Sequence, residues 1–230
     1  SITYYKGGVS DEQSDYTVKY ANSAVADFTA YFYDVLGTAT RANAGTTVNN
    51  RMVLSHTTKT AIALGSSAQA STKSITQYAG SVGDEQSDIT TKYAGTTAID
   101  YTYYYYGPDN SDAGLTVNTA MKLSQTQKTL SRPIAGAPDA NTKSITSYLG
   151  NVGEEQSDVT TKYAGTAAID YTHYYYGAAK ARAGVTVNTA MTMSQTQKTA
   201  ARPAAEAITS DTKSITYYKG GVSDEQSDYT

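Results

Sequence analysis

The strongest constraint on this chain is an internal repeat. The block SITYYKGGVSDEQSDYT begins at Ser1, returns in related form at Ser74 and Ser144, and returns unchanged at Ser214. The intervals of 73, 70 and 70 residues predict an array of like units that pack against their neighbours. The predicted units are repeat 1 at 1–73, repeat 2 at 74–143, repeat 3 at 144–213, and at 214–230 the start of a fourth repeat that is identical to 1–17.

The composition indicates where the stability of such units must come from. Ile, Leu, Val and Phe together are 32 of the 230 residues, which is below the roughly 20% expected of an ordinary folded chain. A net charge of only −3 argues against disorder, which usually combines low hydrophobicity with high net charge. The 22 tyrosines supply much of the apolar surface instead. We therefore expect each unit to depend on its neighbours for stability.

Cysteine content and charge exclude several classes of protein and partner. The chain has no cysteine, so it has no disulfide, no thiolate metal site and no thiol nucleophile. It has no basic stripe, and neither nucleic acid nor an anionic membrane surface is expected as a partner. No apolar run is long enough to predict a membrane span. The expected partners are further repeats of the same chain, through self-association, or a larger partner protein.

Each unit contains a segment rich in tyrosine and alanine, at 16–33, 89–106 and 159–176. Its apolar side chains fall on one stripe at the 3.6-residue spacing of an amphipathic helix, and we predict a helix on that basis. Gly95 and Gly165 lie in the middle of the segment and argue against a helix, as does its content of threonine and tyrosine, which suits strands.

A second segment of each unit has two interpretations. From Leu115 to Leu123 apolar and polar side chains alternate, which is typical of a half-buried strand. A helix from Thr116 to about Leu130 is the other interpretation. The predicted fold class is a tandem-repeat protein of mainly α-helical, hairpin-like units, a long Tyr/Ala helix plus a second helix or strand, that form an elongated rod or solenoid. The alternative is a set of all-β sandwich repeats in a fibre.

An acidic block follows the glycine-containing turn of every repeat. Carboxylates at the start of a helix would cap it and complement its dipole, which is the interpretation that we favour. The same oxygen ligands could instead hold Ca²⁺ between units, and calcium is the only cofactor that the sequence suggests. The candidate calcium ligands are Asp11, Glu12, Asp15, Asp84, Glu85, Asp88, Glu154, Glu155 and Asp158.

Aromatic clusters end the Tyr/Ala segment of every repeat. Consecutive rings cannot all face one core, because neighbouring side chains diverge on a helix and on a strand alike. Rings that point outward with a hydroxyl group favour contacts with another surface. The predicted interface residues are Tyr31, Phe32, Tyr33, Tyr103, Tyr104, Tyr105, Tyr106, Tyr174, Tyr175 and Tyr176.

The sequence shows no catalytic constellation, and we expect that the protein is not an enzyme. The only two histidines, His56 and His173, occupy different repeat positions and have no counterpart in the other copies. No nucleophile elbow, phosphate-binding glycine loop or paired-histidine metal spacing occurs.

These observations predict a non-catalytic structural protein. Its tandem repeats would form or span a filament, a surface fibre or another extended assembly, held by Tyr-rich contacts between repeats or subunits. The first alternative is a repeat linker or scaffold whose units each bind a larger partner protein, and the second is a glycan-binding repeat adhesin. The sequence does not decide the compartment, although an extracellular or cell-surface location suits these functions best.

Overall fold

The computed structural model describes residues 1–21, 23–42, 46–60, 66–186, 188–222 and 224–230. It contains seventeen β-strands and, over these residues, no helix. The prediction of α-helical, hairpin-like units that form a rod or solenoid is therefore wrong. The all-β alternative is the better description of the fold.

The same order of strands recurs in each repeat. Repeat 1 forms β1 (Ile2–Lys6), β2 (Gln13–Ala21), β3 (Ala24–Val35), β4 (Thr38–Arg41) and β5 (Met52–Thr58). Repeat 2 forms β6 (Thr72–Ala79), β7 (Gln86–Ala94), β8 (Thr97–Tyr106), β9 (Ser111–Asp112) and β10 (Met121–Gln127). Repeat 3 forms β11 (Thr142–Leu149), β12 (Gln156–Ala164), β13 (Ala167–Tyr176), β14 (Ala181–Arg182) and β15 (Met191–Gln197), and the fourth block forms β16 (Thr212–Lys219) and β17 (Gln226–Tyr229). The strands β6, β11 and β16 each begin two residues before the repeat boundary that the sequence predicts.

The chain divides into two compact units, residues 1–104 with 112–117 and residues 105–111 with 118–230. In the first unit β1, β2, β3, β5, β6, β7 and β8 pair in that order, each antiparallel to the next, and β4 pairs with the end of β3. In the second unit β10, β11, β12, β13, β15, β16 and β17 pair in the same way, and β14 pairs with the end of β13. Each unit is thus a meander, in which neighbours in sequence are neighbours in the sheet.

The Tyr/Ala segment is a hairpin and not a helix. In repeat 2 it forms β7 and β8, which are joined by a tight turn at Gly95. Gly95 and Gly165 both have a φ of +64°, a conformation that glycine adopts without steric cost. The glycines that weaken a helix are therefore the residues that fold the segment back on itself.

The second segment forms a strand later than its alternating pattern predicts. Residues 115–120 are irregular, and β10 begins only at Met121. The polar stretch that follows is part of the strand, where Ser124, Gln125 and Gln127 are buried. A helix from Thr116 to about Leu130 does not form.

One face of each sheet, which we call the covered face, carries most of the buried side chains. The long polar linkers after β10 and β15 lie over it: the Gln125 side chain donates from Nε2 to Ala137 O at 2.9 Å and accepts from Gly136 N at 3.2 Å. The Tyr105 hydroxyl donates to Pro133 O at 2.9 Å in the same linker. In the second unit the buried residues of this face include Ile145, His173, Tyr175, Met193, Gln195 and Gln197. Because aliphatic residues are scarce, buried glutamine and tyrosine hold the linker through hydrogen bonds.

The opposite face carries rows of hydroxyl groups. Thr146 lies opposite Thr160, their Oγ1 atoms are 2.8 Å apart, and the Tyr174 hydroxyl lies 3.0 Å from the Thr160 Oγ1. The same arrangement occurs with Thr76 and Thr90. Cross-strand hydroxyl pairs of this kind stabilise antiparallel sheets. The abundance of threonine in the sequence thus has a structural explanation.

Candidate functional site

The most regular feature of the molecule is the contact between one repeat and the next, which we call the junction. At each junction the last strand of one repeat (β5, β10 or β15) pairs with the first strand of the following repeat (β6, β11 or β16). The register is the same each time, with Ser55 opposite Thr76, Ser124 opposite Thr146 and Ser194 opposite Thr216. A junction is therefore a continuous backbone ladder.

A glutamate of the acidic block closes each junction. The Oε1 atoms of Glu85, Glu155 and Glu225 accept the backbone N–H of Met52, Met121 and Met191 at 3.0, 3.1 and 3.1 Å. Each methionine is the first residue of the last strand of the preceding repeat. A carboxylate that accepts a backbone N–H forms a charge-assisted hydrogen bond. The recurring glutamate thus ties the start of one repeat to the last strand of the repeat before it.

A glycine makes this position of the glutamate possible. Gly80 has a φ of +118°, and a Cβ atom there would lie 2.5 Å from Asp84 O, inside the turn that precedes Glu85. Gly150 and Gly220 have the same conformation at the other two junctions. Only glycine fits this turn, because a side chain would collide with the backbone.

A tyrosine and a serine form the third contact of each junction. The hydroxyls of Tyr78, Tyr148 and Tyr218 share hydrogen bonds with the Oγ atoms of Ser55, Ser124 and Ser194, at 3.0, 3.1 and 3.1 Å. Burial raises the pKa of Tyr78 above its ordinary value, so this phenol keeps its proton at neutral pH.

The last aspartate of the acidic block is buried and pairs with arginines that are partly exposed. Asp158 accepts hydrogen bonds from Arg182 Nε at 2.8 Å and from Arg182 Nη2 at 2.6 Å, and it also pairs with Arg202 of the following linker. Hydrogen bonding to Asp158 raises the pKa of Arg182. In repeat 1 the buried Asp15 accepts from Arg41 Nε at 2.7 Å. The Asp158–Arg182 pair thus joins β12 to β14, and the Asp15–Arg41 pair joins β2 to β4.

Four of the nine carboxylates proposed as calcium ligands bind other groups of the chain, in two different ways. Glu85 and Glu155 bind strand N–H groups, while Asp15 and Asp158 bind arginines. Over the described ranges, no three acidic or histidine side chains lie together in a group that could hold a metal ion. The acidic block begins no helix in the structure; it leads into β2, β7 and β12.

The predicted interface tyrosines lie mainly inside the chain. Along β3, β8 and β13 successive rings point to opposite faces, as the strand geometry requires. Tyr33 is buried, its hydroxyl donates to Ser14 O at 2.9 Å, and burial raises the pKa of Tyr33 to about 12. The buried members are Phe32, Tyr33, Tyr103, Tyr105, Tyr106, Tyr175 and Tyr176, and the half-buried members are Tyr31, Tyr104 and Tyr174.

Both histidines are buried on the covered face. His56 lies with Nε2 2.7 Å from the Thr72 Oγ1. His173 is 3% exposed, and among the described residues neither of its ring nitrogens has a hydrogen-bond partner. Burial, assisted by the nearby Arg202, lowers the pKa of His173 from 6.5 to about 4. This imidazole is neutral at pH 7.

Threonines that end each linker were missed by the sequence reasoning. The Thr142 Oγ1 accepts from the backbone N of Asp139 at 2.9 Å and from Gln127 Nε2 at 3.1 Å. Thr72 and Thr212 occupy the same position. The signal was available, because the sequence TKSIT is common to all three junctions and begins two residues before the predicted repeat boundary.

Exposed aliphatic side chains recur at one end of the strands, and we call each group a tip. In repeat 2 the tip contains Val82 in the β6–β7 turn with Leu115 and Val117 in the loop after β9. The Gly114 N–H donates to Gln86 Oε1 at 2.9 Å, which holds this loop beside the turn. In repeat 3 the exposed Val152 and Val185 take the places of Val82 and Leu115. In repeat 1 the exposed Val9 and Val48 take the places of Val82 and Val117, and the place of Leu115 is held by the buried Thr46.

A groove of about 350 Å³ lies at the last junction. Tyr174, Tyr176, Met191 and Glu225 are among the residues that line it. Met191 and Glu225 belong to the junction, and most of the remaining lining comes from the acidic block and β13 of repeat 3.

The structure contains no helix, over the residues it describes, that is long and apolar enough to cross a membrane. Comparison with protein-family models, with curated proteins and with solved structures found no match.

Proposed function

We propose that this chain is a non-catalytic repeat scaffold whose units each bind one copy of a larger partner protein through their tips. The observation that carries the proposal is the recurrence of exposed aliphatic side chains at equivalent positions. Leu115 in repeat 2 and Val185 in repeat 3 are 74% and 69% exposed, and each lies beside an exposed turn valine. A single exposed aliphatic residue needs no explanation, whereas a group that recurs in every repeat suits a binding surface.

The chemistry of the tips favours a protein partner. Valine and leucine offer no hydrogen-bonding groups, so they bind by apolar contact with a complementary groove. The three junctions share one strand register. Binding of several partner copies to one chain would also raise the overall avidity.

The number of bound partners tests this proposal. We expect native mass spectrometry of the complex from its source to show one partner per intact tip. The double variant Val82→Ser/Leu115→Ser should lower that number by one. Leu130→Ser, a matched change at an exposed leucine in the linker, should leave it unchanged. A partner number that is the same for all three chains would refute the proposal.

A structural protein of an extended assembly is the second candidate function. The observation in its favour is the junction, which recurs with the same three contacts and would allow further repeats to be added in one register. The tyrosines assigned to subunit contacts give it less support, because most of them are buried within the chain.

A further inference from the structure

The groove of about 350 Å³ at the last junction, which we call the junction groove, is rich in negative charge. Three half-buried carboxylates line it, those of Glu154, Glu155 and Glu225. Over the part of the chain that the structure describes, no lysine or arginine forms an ion pair with them, whereas Asp158 and Asp170 of the same unit each pair with a basic side chain. Like charges that line one groove repel each other, so a bound cation would stabilise all three.

Aromatic and apolar side chains complete the junction groove. Tyr174, Tyr176 and Met191 are part of its lining. The Tyr176 hydroxyl donates to Ser157 O at 2.8 Å, and the Tyr174 hydroxyl lies 3.0 Å from the Thr160 Oγ1, so both rings are held in place. Aromatic rings attract ammonium and guanidinium groups, and apolar surface covers the methylene stems of lysine and arginine.

One acid of the groove recurs without a role in the junction. Glu155 and Glu225 accept strand N–H groups, but Glu154 is approached only by the side-chain amides of Asn151 and Asn188, both at 3.4 Å. An acid nevertheless occupies this position in every copy, and the two tyrosines and the asparagine of the groove recur as well. The recurring residues are Asp11, Asp84 and Asp224 for the acid, Tyr31, Tyr33, Tyr104 and Tyr106 for the tyrosines, and Asn49 and Asn118 for the asparagine.

The junction groove adjoins the tip of repeat 3. Gly153, which lines the groove, directly follows the tip residue Val152, and the lining also includes the exposed Val222 of the next turn. A protein that binds this tip therefore lies beside the groove. The volume of about 350 Å³ is at the small end of ligand pockets, which suits one long side chain.

We propose that the junction groove binds a lysine or arginine side chain of the partner protein that binds the tip of repeat 3. The source of this side chain rests on the proposed function. The cationic group pairs with Glu154 and lies against the ring of Tyr174, and its stem packs on Met191. The tip then supplies apolar contact and the groove supplies charge complementarity, which together specify a partner with a basic residue beside an apolar surface.

The first junction offers a comparison within the same chain. A groove of about 590 Å³ lies there beside Val82, which takes the place of Val222. Arg51 lines this groove, and its Nη1 donates to Gly80 O at 3.3 Å. Repeat 3 has Ala190 at the position of Arg51. Because the first groove already contains a guanidinium group of the chain, an added cation should bind more tightly at the last junction.

Titration of the full chain with a small cation tests the groove without the partner. The probes are Nα-acetyl-lysine N-methylamide and its arginine counterpart, and binding is followed by NMR of the backbone amides. We expect saturable shifts at Met191, whose N–H bonds to Glu225, and smaller shifts at Met52 of the first junction. The norleucine counterpart, which has the stem without the charge, should cause no saturable shift. The tighter of the two cationic probes identifies the side chain.

Variants of the groove decide whether the charge is responsible. Glu154→Gln should weaken binding of the probe about two- to fivefold, which is the range for one partly exposed ion pair, and Glu154→Lys should abolish it. Asp109→Asn, at an exposed acid between β8 and β9 of the same unit, is the matched control and should bind like the parent chain. Absence of saturable shifts with both cations, or equal affinities for Glu154→Gln and Asp109→Asn, would overturn the proposal.

The tip and the groove fail in different measurements. Val152→Ser/Val185→Ser should lower the number of bound partner copies by one and leave the affinity for the probe unchanged; an unchanged partner number would refute the proposed function alone. Glu154→Gln should weaken the partner and reduce the salt dependence of its binding, with the same number bound at saturation. A partner whose affinity and salt dependence are the same for Glu154→Gln and the parent chain would overturn its assignment to the groove.

Discussion

Acid should weaken this protein through a single buried histidine. His173 has a pKa of about 4 in the folded chain, against an ordinary value of 6.5, chiefly because burial disfavours the charged imidazolium. Between these two values the unfolded chain binds a proton that the folded chain does not. The contribution of His173 to stability is therefore complete above pH 6.5 and is lost as the pH falls toward 4.

The size of the effect follows from the two pKa values. Each tenfold difference in proton affinity is about 1.4 kcal/mol, so the limiting loss of unfolding free energy is about 3 kcal/mol. At pH 5 the same relation gives a loss of about 2 kcal/mol relative to pH 8. Among the described residues both ring nitrogens lack hydrogen-bond partners, so no hydrogen bond to the neutral ring alters this loss of unfolding free energy.

The test is denaturant unfolding, followed by circular dichroism at pH 8 and pH 5, of the parent chain and of His173→Tyr. The variant carries the residue that repeat 2 has at this position, Tyr103, which is also buried. It should lose about 2 kcal/mol less than the parent chain between the two pH values. All other titrating groups are common to both chains and cancel in the difference. An equal pH dependence in the two chains would show that His173 is not held neutral by burial.

Three further outcomes are expected from the same architecture. Glu155→Ala removes the acceptor of a strand N–H and should lower the unfolding free energy by about 1–2 kcal/mol, measured by urea denaturation. Glu12→Ala, whose exposed carboxylate accepts no hydrogen bond from the described residues, should change it by no more than about 0.5 kcal/mol. Equal losses would contradict the role of the junction. Gln125→Ala should cost about 2–4 kcal/mol and speed hydrogen exchange of the linker around Ala137, because it leaves a cavity and removes three hydrogen bonds. Unchanged exchange would show that this glutamine does not hold the linker. An isolated repeat 2, residues 74–143, should show little β-structure by circular dichroism, while the full chain melts cooperatively; a single repeat that melts as sharply as the chain would refute dependence on the junctions.

The error over helix and strand has a specific cause. The Tyr/Ala segment of repeat 2 is two strands folded about Gly95. Each strand has its own short alternating pattern, and the two patterns taken together resemble one apolar stripe with helical spacing. The content of threonine and tyrosine and the central glycine both favour strands. No fixed energy states how much such propensities count against the helical spacing of the apolar residues. Local pattern alone could not decide, since short apolar runs fit either period.

The roles of the acidic block depended on residues far away in sequence. Asp158 pairs with Arg182 and Arg202, which lie 24 and 44 positions later, and Glu155 binds the backbone of Met121, 34 positions earlier. A carboxylate can bind a metal ion, cap a helix, accept a strand N–H or pair with arginine. Which of these it does is decided by the groups that the fold brings to it.

The sequence by itself determined the intervals at which its blocks recur, the absence of thiol chemistry and the scarcity of aliphatic residues, which tyrosine partly offsets. These follow from identity and composition, which are properties of the chain alone. Tertiary structure decided that the units are β-meanders, that the tyrosines lie inside them, and that Glu85, Glu155 and Glu225 close the junctions. The reason is that strand pairing and buried hydrogen bonds join residues distant in sequence, and their energies belong to the pair and not to either residue.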